Sequence, residues 1–318
     1  MIALAPLALP MLEYATEATA ALALDVVESY VLVAPAAMLA NDIRTATVNA
    51  LGDVVLRSRT PAHIHSATQA IDYMLRSASD LGGGAQGLSV VVRDMVPSAT
   101  DGFLPQALGK LYAVWQAKQT TGPKKMASAI DPATEADLLK TLARVVLCDP
   151  AVFVDAVASV GGGGDEAAFA AVWTWLADVW FSHASETDSI TAQKLHLLGL
   201  TRLLELQRVE SVVLERLQEY MQLSTAVVSD LQDGVTDAQD SLVWEAESQD
   251  PGMLEWATAK SLAEDRVARA DVVHRVRAKN WVMDRIEAIK GRLGEAWDRE
   301  WVINVDGHVV REFQRVMG

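Results

Sequence analysis

Hydrophobic positions near the middle of the chain predict two adjacent helices. Over residues 190–206, leucines fill more than one helical stripe, so this helix needs apolar neighbours on two sides. Over residues 209–231, apolar residues recur at helical spacing in two neighbouring stripes and leave a polar stripe for water or a partner. Only Gln207 and Arg208 connect the two segments, and so short a connection makes the helices antiparallel neighbours. Such a hairpin, with spare apolar surface on both flanks, is the unit of a stacked helical-repeat solenoid.

The same helical periodicity recurs along the rest of the chain. Thr60, Asp131 and Asp149 each precede a proline, which combines a capping side chain with a residue suited to the first helical position. No stretch alternates with a period of two for long enough to predict a strand. The fold class is therefore predicted to be all-α. Besides the central pair, residues 35–57 are predicted to form one or more helices, and single helices are predicted over residues 12–33, 61–79, 86–96, 103–118, 132–147, 150–160, 165–181, 278–297 and 307–316.

Composition narrows the class of partner. The 318-residue chain carries a formal net charge of -15. Non-specific nucleic-acid binding needs clustered Lys and Arg, so direct binding of nucleic acid is not expected and basic partners are favoured. Hydrophobic residues make up 51% of the chain but aromatic residues only 6%, which is typical of packed helices rather than of a β-sandwich.

The single cysteine and the N-terminal residues indicate in which cellular compartment the protein is expected. Cys148 has no second cysteine to pair with, so no intramolecular disulfide is possible and a reducing compartment is favoured. Residues 1–12 are apolar but have no basic segment before them and contain two prolines, which is unlike a signal peptide. No uncharged run reaches the length that a membrane-spanning helix needs. We therefore expect a soluble intracellular protein that does not bind a membrane.

Charge is distributed unevenly toward the C-terminal end. Between residues 209 and 265 only Arg216 and Lys260 are basic among many carboxylates, whereas residues 266–292 are predominantly basic. Neighbouring acidic and basic stretches of this kind are expected to fold back on each other. Glycine and proline interrupt the acidic stretch, which indicates loop. We predict three regions: helical repeats over 1–232, an acidic loop-rich insertion over 233–265, and C-terminal helices capping the repeats over 266–318.

Four carboxylates are spaced as if on one helical face. Asp230, Asp233, Asp237 and Asp240 follow one another at intervals of three, four and three residues. Such a face could hold Mg²⁺, as in a helical prenyl-transfer enzyme. However, Gly234 interrupts the helix and no second aspartate-rich segment supplies opposing ligands. We interpret the four residues as an acidic surface for solvent or a partner, and we predict no metal site.

No catalytic or cofactor-binding pattern is present. The six histidines have no metal-binding spacing, and no His-Glu-x-x-His occurs. Ser89 lacks the second glycine of a nucleophile elbow, and Cys148 has no histidine nearby in the sequence. We therefore predict neither an enzyme nor a cofactor.

Two tryptophans lie within the acidic stretch. Trp244 and Trp256 are flanked by carboxylates, so each could anchor a basic peptide or, equally, pack against the helical repeats. The predicted partner-binding residues are Asp230, Asp233, Asp237, Asp240, Trp244, Glu245 and Glu247.

A family resemblance rests on six segments that occur in a fixed order: residues 27–35, 217–221, 227–231, 240–243, 271–274 and 300–306. These segments resemble the C-terminal part of an importin-beta superfamily karyopherin of the importin-eleven branch, in its fungal form. Two departures are Val272, where the family usually has proline, and Ile303, which interrupts an otherwise close match.

The resemblance implies a HEAT-repeat α-solenoid of about five to seven helical hairpins. Inner helices of such a solenoid line a concave face that holds protein cargo during passage through the nuclear pore. The family implies further partners, namely nuclear pore proteins and the small GTPase Ran, which binds N-terminal repeats that we expect this sequence to lack. It also implies shuttling between cytoplasm and nucleus, Ran-regulated import of cargo, and no catalytic residues. Two alternatives stay open: a helical-repeat adaptor without a transport role, and an all-α enzyme.

Overall fold

The computed structural model describes residues 5–14, 17–78, 91–96, 102–121, 131–160, 165–187, 189–233 and 258–318. Regular secondary structure in these ranges is helical, and no strand occurs in them, as the periodicity predicts. None of the helices in these ranges has the length and apolarity needed to cross a bilayer. The helices are α1 (Ala5–Tyr14), α2 (Glu17–Val33), α3 (Pro35–Met38), α4 (Asn41–Arg57), α5 (Pro61–Ala78), α6 (Phe103–Thr121), α7 (Pro132–Cys148), α8 (Pro150–Val160), α9 (Glu166–Glu186), α10 (Ile190–Leu203), α11 (Glu210–Leu214), α12 (Leu217–Asp233), α13 (Ala259–Ala270), α14 (Val272–Arg275), α15 (Ala278–Leu293) and α16 (Gly307–Met317).

Helix starts follow the proline signals. α5, α7 and α8 begin at their predicted prolines. The Asp131 carboxylate accepts a hydrogen bond from the Thr134 backbone N–H at 3.1 Å, and Asp149 accepts one from Val152 N–H at 3.2 Å. These side chains satisfy N–H groups that have no partner within the first helical turn.

Two predicted helices are interrupted. The segment predicted over 209–231 divides at Glu215 and Arg216 into α11 and α12, so the prediction of one continuous helix there is wrong. Leu214 and Leu217, on either side of the turn, are both buried at the three-residue spacing of a helix. Since that spacing is the same with or without the turn, periodicity cannot reveal the break. The other interruption is at Gly294, where α15 ends within the segment predicted over 278–297. The segment over 35–57, predicted to form one or more helices, forms α3 and α4.

The chain forms two compact units. The first comprises residues 1–172 and 249–271. Within it, α2 packs against α1 and α5, α4 against α5 and α6, and α7 against α5 and α8. Gly52 of α4 lies against Phe103 of α6 so closely that an added Cβ would be 2.8 Å from Phe103 Cβ. The absence of a side chain at Gly52 therefore permits the close approach of these two helices.

α13 packs against helices much earlier in the sequence within the first unit. It lies on α2 and α5, where Ala263 and Val267 join Leu32 in a small core. Lys260 Nζ lies 3.1 Å from carboxylate oxygens of both Asp25 and Glu28. Two carboxylates of α2 thus pair with Lys260, one of the two basic residues of the stretch 209–265.

A buried ionic cluster fixes the end of α13. The Arg144 guanidinium donates to both Asp271 carboxylate oxygens at 2.6 and 2.8 Å, and its Nε donates to Asp72 at 2.8 Å. Arg76 lies 2.5 Å from Asp72 and 3.2 Å from Asp271. Burial by itself would raise the pKa of Asp72, but the Arg144 and Arg76 charges outweigh it and lower that pKa to about 2. The same charges lower the pKa of Asp271 against burial.

The second unit comprises residues 173–248 and 272–318. α10 is its central helix and packs against α12, α14 and α15, while α12 also packs against α15 and α16. The prediction that helix 190–206 needs apolar neighbours on two sides is confirmed. Leucines around its circumference are buried, namely Leu195, Leu197, Leu198, Leu200 and Leu203.

The three predicted sequence regions differ from these two units. The boundary predicted at residue 266 falls inside α13, and helix occupies residues 259–265, which were predicted as part of a loop-rich insertion. Residues 234–257 of that insertion lie outside the described residues. The division into helical repeats, acidic insertion and capping helices stays a prediction.

Candidate partner-binding surface

The predicted acidic surface begins at the C-terminal end of α12. Asp230 is exposed near the end of this helix, and Asp233 is its last residue, so their three-residue spacing falls on one helical face. The other predicted residues, Asp237, Asp240, Trp244, Glu245 and Glu247, lie outside the described residues. Among the residues that the structure does describe, no group of three or more His, Cys, Asp or Glu side chains could hold a metal ion.

α12 has one buried face and one polar face. The predicted polar stripe of Gln218, Glu219 and Gln222 is exposed, and Asp230 continues it toward the end of the helix. Gln218 Oε1 accepts a hydrogen bond from the Asp306 backbone N–H at 3.0 Å. The buried face carries Leu217, Tyr220, Met221, Val227, Val228 and Leu231.

Buried polar contacts fix α9 and α12 against α10. Trp180 Nε1 donates to His196 Nδ1 at 3.0 Å. The Tyr220 hydroxyl lies 2.9 Å from Thr201 Oγ1, and Ser224 Oγ donates to the Tyr220 carbonyl at 2.7 Å. Burial raises the pKa of Tyr220 far above its usual value, so the phenol stays neutral. Because these contacts are buried, the walls that α9 and α12 present to solvent are held in a defined position.

A groove of about 410 Å³ runs between α9 and α12 in the second unit. Phe181 and Ala184 of α9 and Leu223 of α12, all buried, form its apolar base. Serine and glutamine side chains add polar walls: Ser182, Ser185, Gln193 and Gln222.

Two carboxylates and one arginine meet at this groove. Arg216 contacts Asp178 of α9 and also lies 3.0 Å from Glu219 Oε2 of α12. The Asp178 and Glu219 side chains are each 47% exposed, whereas that of Arg216 is 25% exposed. The arginine is therefore more enclosed than either carboxylate that binds it. We refer to Asp178 and Glu219 as the carboxylate pair.

Sequence reasoning did not identify this groove. Asp178 lies 38 positions before Arg216, and no periodicity links two residues so far apart. One sequence signal was available, since Arg216 is one of only two basic residues between positions 209 and 265. An isolated arginine in an acidic stretch indicates a local ion pair, although it does not reveal which distant carboxylate takes part.

Comparison with known proteins supports the resemblance drawn from the sequence. A family model described as Importin-11-like, TPR repeats matches residues 1–318. Neither a curated protein nor a solved structure matches the chain. The match confirms the resemblance and, together with the helices, the predicted fold class, an all-α helical-repeat solenoid. Its description names TPR repeats where we expected HEAT repeats, and both consist of two-helix units that stack on their neighbours.

Proposed function

This chain belongs to the importin-11-like family of karyopherin-type transport receptors, and on that basis we propose that it binds basic protein cargo during nuclear import. The observation that carries the proposal is the polar face of α12, where Asp230 is exposed on the side opposite a largely apolar buried face. That face leads directly into the acidic stretch of residues 233–250. We propose that cargo contacts Asp230, Asp233, Asp237, Asp240, Glu245 and Glu247, with Trp244 as an apolar anchor, on the concave face of the C-terminal repeats.

Electrostatics supply the mechanism of capture. One exposed ion pair contributes only about 0–1 kcal/mol, so a single bridge would not hold cargo. Many carboxylates of one sign accelerate the encounter with a basic protein and spread the affinity over several contacts. The chain's net charge of -15 and its concentration of acidic residues after Val209 fit this mechanism.

The family suggests how capture would be regulated. We propose that the receptor shuttles between cytoplasm and nucleus, contacts nuclear pore proteins, and releases cargo when Ran-GTP binds repeats N-terminal to this sequence. On this proposal, Ran-GTP added to the 318-residue chain alone should leave a bound basic cargo in place. Direct displacement would contradict the assignment of Ran binding to other repeats. Cargo capture that is insensitive to Ran in a longer form carrying those repeats would favour the adaptor without a transport role.

A charge-neutralising variant tests the cargo surface. Asp230→Asn combined with Asp233→Asn should weaken binding of a fluorescent reporter protein with a Lys/Arg-rich tail, measured by anisotropy, by about three- to tenfold. Asp155→Asn is the matched control, because Asp155 is an exposed aspartate in the interior of α8. If the wild-type protein and the double variant bind the reporter with equal affinity, Asp230 and Asp233 are not part of the cargo-binding surface.

A further inference from the structure

We propose that the groove between α9 and α12 binds an arginine-bearing segment of a protein partner, and that Arg216 occupies the arginine site in the unbound protein. The inference rests on the proposed function, because the occupant is taken to be part of a protein cargo. It goes beyond that function by naming a second contact surface, at the opposite end of α12 from Asp233.

The contacts of Arg216 define what the site accepts. Its guanidinium reaches Asp178 through Nη2 and Glu219 through Nη1, so one planar group joins carboxylates on two different helices. A guanidinium carries several N–H donors in a fixed plane, whereas a lysine ammonium is a compact point charge. The geometry of the carboxylate pair therefore suits arginine better than lysine.

Arg216 is placed so that it can be exchanged. It lies in the two-residue turn between α11 and α12, and the buried Leu214 and Leu217 on either side anchor the backbone without using the Arg216 side chain. The carboxylate pair stays nearly half exposed with Arg216 in place, so a partner's guanidinium can approach it from solvent. Exposed ion pairs are individually weak, which makes exchange of one arginine for another energetically accessible.

The groove is larger than the arginine it holds. Its volume of about 410 Å³ lies within the range of binding pockets for small ligands and short peptide segments. Phe181 and Leu223 provide apolar surface for the methylene groups of an entering side chain. Gln222 carries an amide group that can hydrogen-bond the N–H and C=O groups of a peptide backbone. Gln193 Nε2 donates to the Thr187 carbonyl at 2.6 Å, and its Oε1 can accept from a peptide N–H. These features together fit a short arginine-containing stretch of polypeptide.

Peptide binding to variants of the full chain shows whether the carboxylate pair binds a partner's arginine or only stabilises the fold. The probe is a fluorescent peptide with one arginine among serines and glycines, compared with the same peptide carrying citrulline, which keeps the shape and loses the charge. Asp178→Asn and Glu219→Gln should each weaken binding of the arginine peptide about three- to tenfold, because each removes one carboxylate of the pair. Arg216→Gln should strengthen it by a similar factor, because the internal competitor is gone.

Two controls accompany the measurement. Glu215→Gln makes a charge change next to Arg216, at an exposed position outside the groove, and should leave peptide affinity unchanged. Circular dichroism and the thermal midpoint of every variant establish that the protein folds. The inference is overturned if Arg216→Gln weakens binding or has no effect, or if the citrulline peptide binds as tightly as the arginine peptide.

The outcome also distinguishes this inference from the proposed function. If the groove variants leave peptide binding unchanged while Asp230→Asn with Asp233→Asn weakens reporter binding, the groove inference fails and the cargo surface stands. If the groove variants behave as expected and that double variant has no effect, the groove is a contact site and the cargo surface is wrong. If neither set changes binding, both proposals fail.

Discussion

Arg144 belongs to a cluster of four charged side chains in the first unit, together with Arg76, Asp72 and Asp271. Its guanidinium is buried and binds Asp271 with two hydrogen bonds and Asp72 with a third. Asp271 follows the last residue of α13, so this cluster fixes the end of that helix to α5 and α7. A buried charge without its partner is costly, so the cluster is sensitive to the loss of any single member.

The cluster predicts a large effect of one isosteric change. Asp271→Asn leaves two arginines facing one carboxylate, so we expect the free energy of unfolding to fall by about 3 kcal/mol. Asp265→Asn is the control, because Asp265 lies on α13, the helix that Asp271 follows, and is partly exposed and outside the cluster. Its effect should stay within about 0.5 kcal/mol. Urea denaturation measures both. Similar small losses for the two variants would mean that the cluster contributes little.

Acid should weaken the same cluster. The pKa of Asp72 is about 2 in the folded protein against 3.8 as its ordinary value, so the folded state binds the proton less readily than the unfolded chain. The stability that this carboxylate contributes is complete above about pH 4 and is lost as the pH falls toward 2. Urea denaturation midpoints measured between pH 5 and pH 2 should decrease as the pH is lowered from about 4 to 2. The decrease should be shallower for Asp72→Asn than for the wild-type protein. A variant as steep as the wild type would contradict the prediction.

At the scale of helices, local features were predictable and distant pairings were not. The starts of α7 and α8 followed from an aspartate and a proline next to each other, and the two-sided burial of α10 followed from its leucines. The turn at Glu215 and Arg216 left the apolar spacing unchanged, so no pattern could reveal it.

The candidate site shows the same limit. Asp230 and the polar stripe of α12 could be read from helical spacing, because that information is local. The pairs Asp178 with Arg216 and Arg144 with Asp271 join residues 38 and 127 positions apart. Only the packing of helices brings such residues together, and the charge of one residue does not specify its distant partner.

The approach of α4 to α6 yields a prediction at this scale. Gly52→Ala would place a Cβ 2.8 Å from Phe103 Cβ, so the helices must separate, and we expect a loss of about 1–3 kcal/mol of stability. Gly109 of α6 is the control, because a Cβ there meets nothing within 4 Å. Gly109→Ala should be neutral or stabilising by up to about 1 kcal/mol. Thermal unfolding measures the stability of both variants. A loss of stability in Gly109→Ala equal to that in Gly52→Ala would contradict the prediction.

At the scale of the whole molecule, charge is the property that links sequence to proposed function. The net charge of -15 is accompanied by ion pairs within each unit, such as Lys260 with Glu28 in the first and Arg292 with Glu210 in the second. Arg292 of the basic stretch 266–292 and Lys260 before it are therefore each paired with a carboxylate of the same unit. Because each ion pair neutralises one charge of each sign, the net charge of -15 remains, and this excess is the basis of the cargo proposal.

Salt dependence of cargo binding tests this account most directly. The measurement is the dissociation constant of the basic reporter protein with the 318-residue chain between about 50 and 200 mM salt, alongside the urea midpoint of the chain. We expect affinity to fall at least several-fold across this range, because exposed charges are screened, while the midpoint changes little. A dissociation constant that stays the same at both salt concentrations would contradict capture by an acidic surface.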